Sequence, residues 1–184
     1  MKKLTALLIA LTLICAFSCF AEKFELMGFD FATTIEEAEA LLGEDVQKRV
    51  ESYPELGELT VLRKYDIELF GHDSECITLL FFNGKLATAV INYTDDALSD
   101  AAVLIENISA EYGTATYRED YSFISGDDSS RKAKITYNWY EIEGDIEGAL
   151  TLDSEDESEY FCFVGFTSMA VIDEMEEALL SQYE

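Results

Sequence analysis

Residues 74–93 read SECITLLFFNGKLATAVINY, and this segment determines the architecture of the chain. Two apolar runs flank Asn83 and Gly84, a dipeptide that favours a two-residue hairpin turn because both residues accept a positive φ. The segment therefore predicts two antiparallel strands in which Phe82 lies opposite Lys85. In that register we expect one face, the core side, to carry Ile77, Leu79, Phe81, Leu86, Thr88 and Val90. The other face is also rather apolar, so we expect it to be partly covered. Along with Phe82 and Lys85 it carries Cys76, Thr78, Leu80, Ala87, Ala89 and Ile91.

A short helix is predicted upstream of the hairpin, from Thr33 to Leu42. Either Thr33 or Thr34 forms a capping box with the glutamate three residues later, which satisfies free N–H groups of the first turn. Apolar residues recur at helical spacing, and Gly43 ends the helix as a left-handed cap. Residues 44–58, which include the chain's only proline, are expected to be irregular.

The remaining patterns predict an α+β fold. A strand is expected near residues 65–69, and a longer helix at about 95–112. Four strands and a C-terminal helix follow at about 115–124, 132–142, 146–152, 159–167 and 170–183. The fold class is therefore α+β: a helix followed by an antiparallel β-meander, twice, plus a C-terminal helix. Residues 22–184 are expected to form a single domain, divisible into two αβ subunits at about 22–94 and 95–184.

In the strand at 132–142, period-2 alternation places Tyr137 and Trp139 on one face and Tyr140 on the other. We expect Trp139 to be buried in the core. Aromatic residues that stay exposed are natural anchors for a partner, because aromatics dominate interface hot spots.

The segment 33–43, TTIEEAEALLG, resembles the opening helix of small bacterial envelope modules, in which an acidic helix capped by Thr ends in Leu-Gly and precedes a set of strands. With two such units, residues 28–168 look like the β-lactamase-inhibitor-like and SmpA/OmlA-like envelope proteins. The resemblance implies that fold, and proteins with that fold act by binding proteins in the cell envelope. It assigns no role to an individual residue, because a fold does not by itself fix a function.

Residues 1–21 have the pattern of a secretory signal peptide. Lys2 and Lys3 precede an apolar run, and residues 19–21 place small side chains where a signal peptidase needs them for a cut before Glu22. Two alternatives stay open. Residues 16–19 resemble a lipobox, although the first two depart from the usual pattern, so Cys19 is a candidate for lipidation. Residues 4–21 are also near the ~20 residues that an uncleaved membrane anchor needs.

The charge of the chain constrains its partners. With Lys2 and Lys3 removed, 10 of the 12 basic residues remain against 38 acidic ones. Such a field repels phosphate backbones and anionic membrane surfaces, so we expect no nucleic-acid partner and no membrane insertion beyond an N-terminal anchor. Another protein is the expected partner. The alternative is that the negative charge has no role in partner selection and only keeps an exported protein soluble.

Two cysteines lie beyond the signal segment, Cys76 and Cys162. In an exported chain they allow one disulfide, from Cys76 to Cys162, provided that their Cα atoms lie within ~7 Å. The alternative is that each is a small buried apolar residue in a strand.

No catalytic or cofactor motif is present in the sequence, and we expect no cofactor. His72, the chain's single histidine, falls in a predicted turn and is expected to be a surface residue. The densest acidic run offers a calcium loop built from Asp153, Glu155, Asp156 and Glu157, although it lacks the EF-hand order. A solvated hairpin loop is the alternative.

These patterns predict an exported, acidic, non-catalytic binding module of the bacterial cell envelope or medium, with another protein as its partner. Two alternatives stay open. One is a secreted hydrolase that uses a pair of carboxylates, which sequence cannot single out because the pair is defined by distance in space. The other is a calcium-binding surface protein.

Overall fold

The hairpin of residues 74–93 lies near the centre of an eight-stranded antiparallel sheet. The computed structural model describes residues 24–54, 56–93, 101–123, 131–156 and 159–181. The strands are β1 (Gln47–Tyr53), β2 (Gly57–Leu69), β3 (His72–Phe82), β4 (Lys85–Tyr93), β5 (Thr116–Phe123), β6 (Arg131–Glu143), β7 (Ile146–Asp156) and β8 (Glu159–Ser168). The helices are α1 (Ile35–Leu42), α2 (Ala101–Tyr112) and α3 (Met169–Leu180).

The sheet consists of two four-stranded meanders joined through their last strands. Its order is β1-β2-β3-β4-β8-β7-β6-β5, and β4 pairs antiparallel with β8. Each meander follows a helix, α1 in the first half and α2 in the second, and α3 ends the chain. The predicted α+β class, with a helix and an antiparallel meander given twice and a C-terminal helix, is confirmed. Residues 94–100, where the second helix was predicted to begin, and the signal segment 1–21 lie outside the described residues.

The prediction of an irregular segment at residues 44–58 is wrong, because β1 lies within it. The strand pairs with β2 from Gln47 opposite Arg63 to Tyr53 opposite Gly57. Nearly every residue of β1 is exposed, since it forms one edge of the sheet. Such a strand buries no face, so it lacks the apolar alternation by which strands are recognised in a sequence.

The hairpin turn forms as predicted, but a β-bulge changes the register beyond it. Phe82 pairs with Lys85, and Asn83 and Gly84 have φ values of +48° and +80°. Leu86 pairs with Phe81, whereas Thr88 pairs with Leu80, so Ala87 has no partner opposite. The extra residue reverses the faces of the rest of β4.

The core side of β4 is therefore corrected. Ala89 and Ile91 are fully buried there, while Thr88 and Val90 lie on the opposite face, contrary to the expected assignment. A simple two-residue count along the strand fails at a bulge because the side-chain period is interrupted by one residue.

Helices α1 and α2 and the N-terminal segment cover one face of the sheet and enclose the main core. Phe24 is fully buried, with ring centroids 5.0 Å from Phe31, 5.6 Å from Tyr112 and 5.0 Å from Phe166. Trp139, 1% exposed, lies in the same core as predicted. Its Nε1 donates a hydrogen bond of 2.8 Å to the carbonyl of Gly113, just past the end of α2.

Helix α3 packs on the other face of the sheet, at one end. Val171 contacts a small buried cluster that includes Phe82 and Ala87. The expected covering of this second face is thus confirmed at the hairpin end. The start of α3 is held by the β6–β7 turn, because an Asp145 carboxylate oxygen accepts from the backbone N–H of Ala170 and from the Ser168 hydroxyl, each at 2.9 Å.

The first helix has the predicted capping box, formed by the second of the two candidate threonines. The Thr34 hydroxyl accepts from the Glu37 N–H, and the Glu37 carboxylate accepts from the Thr34 N–H at 2.9 Å. These hydrogen bonds with Thr34 lower the pKa of Glu37. Gly43, at φ +77°, ends the helix.

Within the described residues no helix is both long and apolar enough to cross a membrane.

Candidate functional site

One face of the sheet is left uncovered by α1 and α2, and α3 covers it at one end alone. Strand register and burial assign its residues: half-buried or exposed side chains alternate with buried ones along β2, β3, β4, β6, β7 and β8. We call this surface the open face. It comprises Arg63, Tyr65, Thr78, Thr88, Val90, Asn138, Tyr140, Glu147, Ala149, Phe163, Gly165 and Thr167.

The open face is poor in charge although the chain has a net charge of −26. Among the residues that define it, Arg63 and Glu147 are the charged ones, and they are of opposite sign. Exposed acidic residues lie outside this set, on the helices and on the β2–β3 hairpin, for example Glu36 on α1, Asp173 on α3 and Glu68 on β2. Depletion of charge at the centre of a surface, with Tyr and Arg present, is the compositional mark of a protein interface.

A depression lies at the centre of the open face, where the two meanders meet. Its volume is about 290 Å³. Gly165 and Ala149, a directly paired couple on β8 and β7, supply small side chains at this place. Apolar lining residues are Val90, Phe163 and Met169, and polar ones are Thr88, Asn138, Glu147 and Thr167. The Thr88 hydroxyl donates to the Phe166 carbonyl at 2.9 Å and lies 3.2 Å from the Thr167 hydroxyl.

A second group of polar contacts lies on the β2–β3 side of the open face. The Arg63 Nε donates to the Thr78 hydroxyl at 3.1 Å. A hydrogen bond with the Tyr65 side chain is the main reason that the pKa of Arg63 is raised. These contacts place the guanidinium of Arg63 next to the exposed Tyr65, so the pair presents a cation beside an aromatic residue. Beyond them, a depression of about 370 Å³ is lined by Arg63 and by Gln47 and Arg49 of the edge strand.

Cys76 and Cys162 are both buried and both free, which corrects the predicted disulfide. Cys76 pairs with Asn92 and Cys162 pairs with Tyr93, so the two cysteines flank β4 from either side. Consecutive residues of a strand point to opposite faces, so the two side chains lie on different sides of the sheet. Two strand spacings also amount to about 9.5 Å, beyond the Cα separation that a disulfide spans.

The alternative interpretation of the cysteines as small buried apolar residues therefore describes the structure. The Asn92 side-chain amide donates to the Cys76 sulfur at 3.3 Å. Burial raises the pKa of the Cys162 thiol to about 11. That shift keeps the Cys162 thiol protonated near neutral pH, when it is a weak nucleophile.

The predicted calcium loop is built on the end of the β7–β8 hairpin. The backbone of β7 extends through Asp153 to Asp156, and Asp156 pairs with Glu159. Glu157 and the side chains of Asp153, Glu155 and Asp156 lie outside the described part of the structure. The calcium site stays a prediction. In the rest of the chain that the structure describes, no three His, Cys, Asp or Glu side chains converge in a way that could hold a metal ion.

Two other sequence candidates have simple outcomes. Cys19, the candidate for lipidation, lies outside the described residues. His72 lies at the start of β3, opposite Leu69 across the two-residue turn of the β2–β3 hairpin. It is half-buried, not a fully solvated surface residue, and its Nε2 is buried without a hydrogen-bond partner in the described part of the chain.

Sequence analysis missed the residues of the central depression. The alternation in β8, where Cys162, Val164 and Phe166 are buried and the residues between them are not, could have sorted this strand into two faces. The pairing of β4 with β8 could not have been found in the same way, because no short turn connects these strands. That pairing is what brings Thr88 opposite Thr167 and Val90 opposite Gly165.

Comparison of the chain with protein-family models, with curated proteins and with solved structures finds no match. The similarity to envelope modules, drawn from residues 33–43 and from the order of the elements, stays a prediction.

Proposed function

We propose that this chain is an exported, acidic, non-catalytic binding module of the bacterial cell envelope or medium, and that its open face binds another protein. The observation that carries the proposal is the contrast between this face and the rest of the molecule. In a chain with 38 acidic residues, the central part of this side of the sheet carries two opposite charges, Arg63 and Glu147, and is otherwise formed by Thr, Asn, Val, aromatic and small residues. Further charged residues on this side, Arg49, Glu51 and Lys85, lie toward the β1 edge and beside α3.

The side chains on this face suit a protein partner. Tyr65, Tyr140 and Arg63 are exposed, and these residue types carry much of the binding energy in protein interfaces. They project from strands of a continuous sheet, so the backbone that carries them is already ordered before binding. A rigid, pre-ordered surface of this kind retains more of its contact energy as affinity.

The acidic surroundings restrict the class of partner. The field around a chain of net charge −26 speeds association with basic proteins and opposes nucleic acids and anionic lipids. We therefore expect a partner of net positive charge that places a weakly charged surface on the open face. The association rate should fall steeply as salt is added, since exposed charges are screened over about 10 Å at 0.1 M salt.

A pair of tyrosines allows a matched test. Tyr140 lies on the open face and is 56% exposed; Tyr117 lies on the helix-covered side of the sheet and is 51% exposed. Each is replaced in turn by the photo-crosslinking residue p-benzoylphenylalanine, and the full-length chain is irradiated in the cells that produce it. The products are separated by gel electrophoresis and identified by mass spectrometry.

We expect one discrete crosslinked protein from position 140 and none of that protein from position 117. The yield at position 140 should drop when Val90→Arg places a bulky cation at the centre of the face. Equal crosslinking from both positions, or none from position 140, would contradict binding through the open face.

A further inference from the structure

Glu147 is the anion of the open face, and none of the cationic side chains that the structure describes pairs with it. Its side chain is half-buried and lines the central depression. No ion pair or hydrogen bond of the Glu147 carboxylate occurs within the part of the chain whose side chains the structure describes. A carboxylate that is partly removed from water without a partner costs free energy, which a matching charge would recover.

The chain's own described cations are engaged elsewhere. Lys85 pairs with Glu174 at 2.7 Å, Lys48 pairs with Glu39 at 2.9 Å, and Arg49 pairs with Glu51. The two that remain among the described side chains also have partners, since Arg63 donates to Thr78 and Lys64 donates to the Glu44 carbonyl. Among the described side chains, none is left to serve as the cation for Glu147, and a partner protein can supply one.

The size and the lining of the depression suit a single long side chain. Its volume of about 290 Å³ is at the lower limit of the ~300–1,000 Å³ that small-molecule sites occupy. There is open space over Gly165, because it has no side chain and a Cβ added to it would lie 4.0 Å from its nearest neighbour, a Val90 methyl. Phe163 and Met169 offer apolar walls for a methylene stem. Such a stem packs on apolar surface while its charged head reaches a polar partner.

The polar rim completes the match. Asn138 and Thr167 line the same depression as Glu147. Each of the three has an oxygen that can accept a hydrogen bond, and ammonium and guanidinium groups donate without accepting. A carboxylate with neutral acceptors around it favours lysine or arginine over any anionic or neutral residue.

We propose that the central depression receives one lysine or arginine side chain of the partner protein and that Glu147 pairs with its charged head. The proposal rests on the proposed function, that the open face binds a protein, and names the chemistry by which that face selects its partner.

The probes are three short peptides, acetyl-Gly-X-Gly-amide, with lysine, arginine or norleucine at X. Norleucine has the methylene stem of lysine without its charge. Each peptide is titrated into isotopically labelled chain, and the backbone amide signals of Ala149 and Gly165 are followed by NMR. We expect the lysine or the arginine peptide to shift these signals with a Kd of about 1–10 mM, as suits a single side chain, and norleucine to leave them unchanged.

Two variants, each of which replaces one glutamate by the neutral glutamine, separate a specific contact from general attraction to an acidic protein. Glu147→Gln removes the charge from the depression, and Glu106→Gln removes the same charge from the exposed side of α2. A charge-assisted hydrogen bond exceeds a neutral one by enough to weaken binding about tenfold in the Glu147→Gln variant. The Glu106→Gln variant should bind as the wild type does. Equal weakening in both, or shifts with norleucine, would overturn the proposal.

The crosslinking experiment tells whether the cationic contact at Glu147 is wrong or whether the open face does not bind a protein at all. A crosslink at Tyr140 that persists with unchanged yield in the Glu147→Gln chain would show that the open face binds a protein without using the depression in this way, and would overturn only the cationic contact. Loss of that crosslink in Glu147→Gln, with retention in Glu106→Gln, is the supporting result.

Discussion

Two glycines near the centre of the sheet should respond in opposite directions to the same substitution. Gly148 lies on the core side of β7, where a Cβ would come within 3.0 Å of the Phe166 ring and of the Ile142 side-chain end. Gly165 lies on the open face, where the nearest contact of a Cβ would be 4.0 Å away. The two positions are close in space, since Gly148 pairs with Phe166, the next residue after Gly165.

The magnitudes follow from packing. Replacing Gly by Ala in a strand interior contributes about 0.5–1 kcal/mol of stability, because the unfolded chain loses freedom. Gly165→Ala should keep that gain. In Gly148→Ala the gain is opposed by overpacking, which costs about 1–3 kcal/mol. Phe166 cannot move aside easily, since its ring is fully buried and lies 5.0 Å from Phe24 and 5.1 Å from Tyr112. Gly148→Ala should therefore lose about 1–2 kcal/mol.

Urea unfolding followed by the fluorescence of Trp139, the chain's one tryptophan, measures both effects. The midpoint should rise for Gly165→Ala and fall for Gly148→Ala, with an unchanged slope in each case because the surface exposed on unfolding is the same. For a domain of this size the melting temperature should differ between the variants by about 4–10 °C. A Gly148→Ala chain as stable as Gly165→Ala would refute the packing of Phe166 over β7.

Three further predictions concern single contacts. Trp139→Phe should lower the free energy of unfolding by about 1–3 kcal/mol, because the Gly113 carbonyl loses its hydrogen-bond donor and the core loses volume. The control, Tyr140→Phe on the open face, should change it by less than about 0.5 kcal/mol. Chemical unfolding followed by circular dichroism measures both. Hydrogen bonds from the Ala170 N–H and the Ser168 hydroxyl hold the pKa of Asp145 below its usual value, so its contribution is present above the unfolded pKa of about 3.9 and is lost as the pH falls through the lower folded pKa. Asp145→Asn should therefore flatten the stability–pH curve below about pH 4; an unchanged curve would count against this cap. For the cysteines, dithiothreitol should leave the melting temperature unchanged, and a thiol titration of unreduced, denatured chain lacking residues 1–21 should find Cys76 and Cys162 both reactive; a titration that finds neither would restore the disulfide.

The features that were predicted correctly from the sequence are those that short stretches of the chain determine. The Thr34 capping box, the Asn83-Gly84 turn and the alternation that buries Trp139 each depend on a few neighbouring residues, and each formed as predicted. The edge strand β1 was missed because a strand without a buried face has no alternation to detect. The bulge at Ala87 was missed because an extra residue is invisible until the partner strand is known.

The open face depends on contacts that no local pattern encodes. Its central depression takes Thr88 and Val90 from the first meander, and Glu147 and Gly165 from the second. It forms because β4 and β8, about seventy residues apart in the chain, align in one particular register. A shift of that register by one residue would turn Val164 and Phe166 toward the open face and remove both the small floor and the hydroxyl rim. The aromatic packing of Phe24, Phe166 and Tyr112 on the opposite side opposes such a shift. The core under α1 and α2 thus fixes the composition of the surface on the far side of the sheet, so mutations in that core should alter the central depression before they unfold the chain.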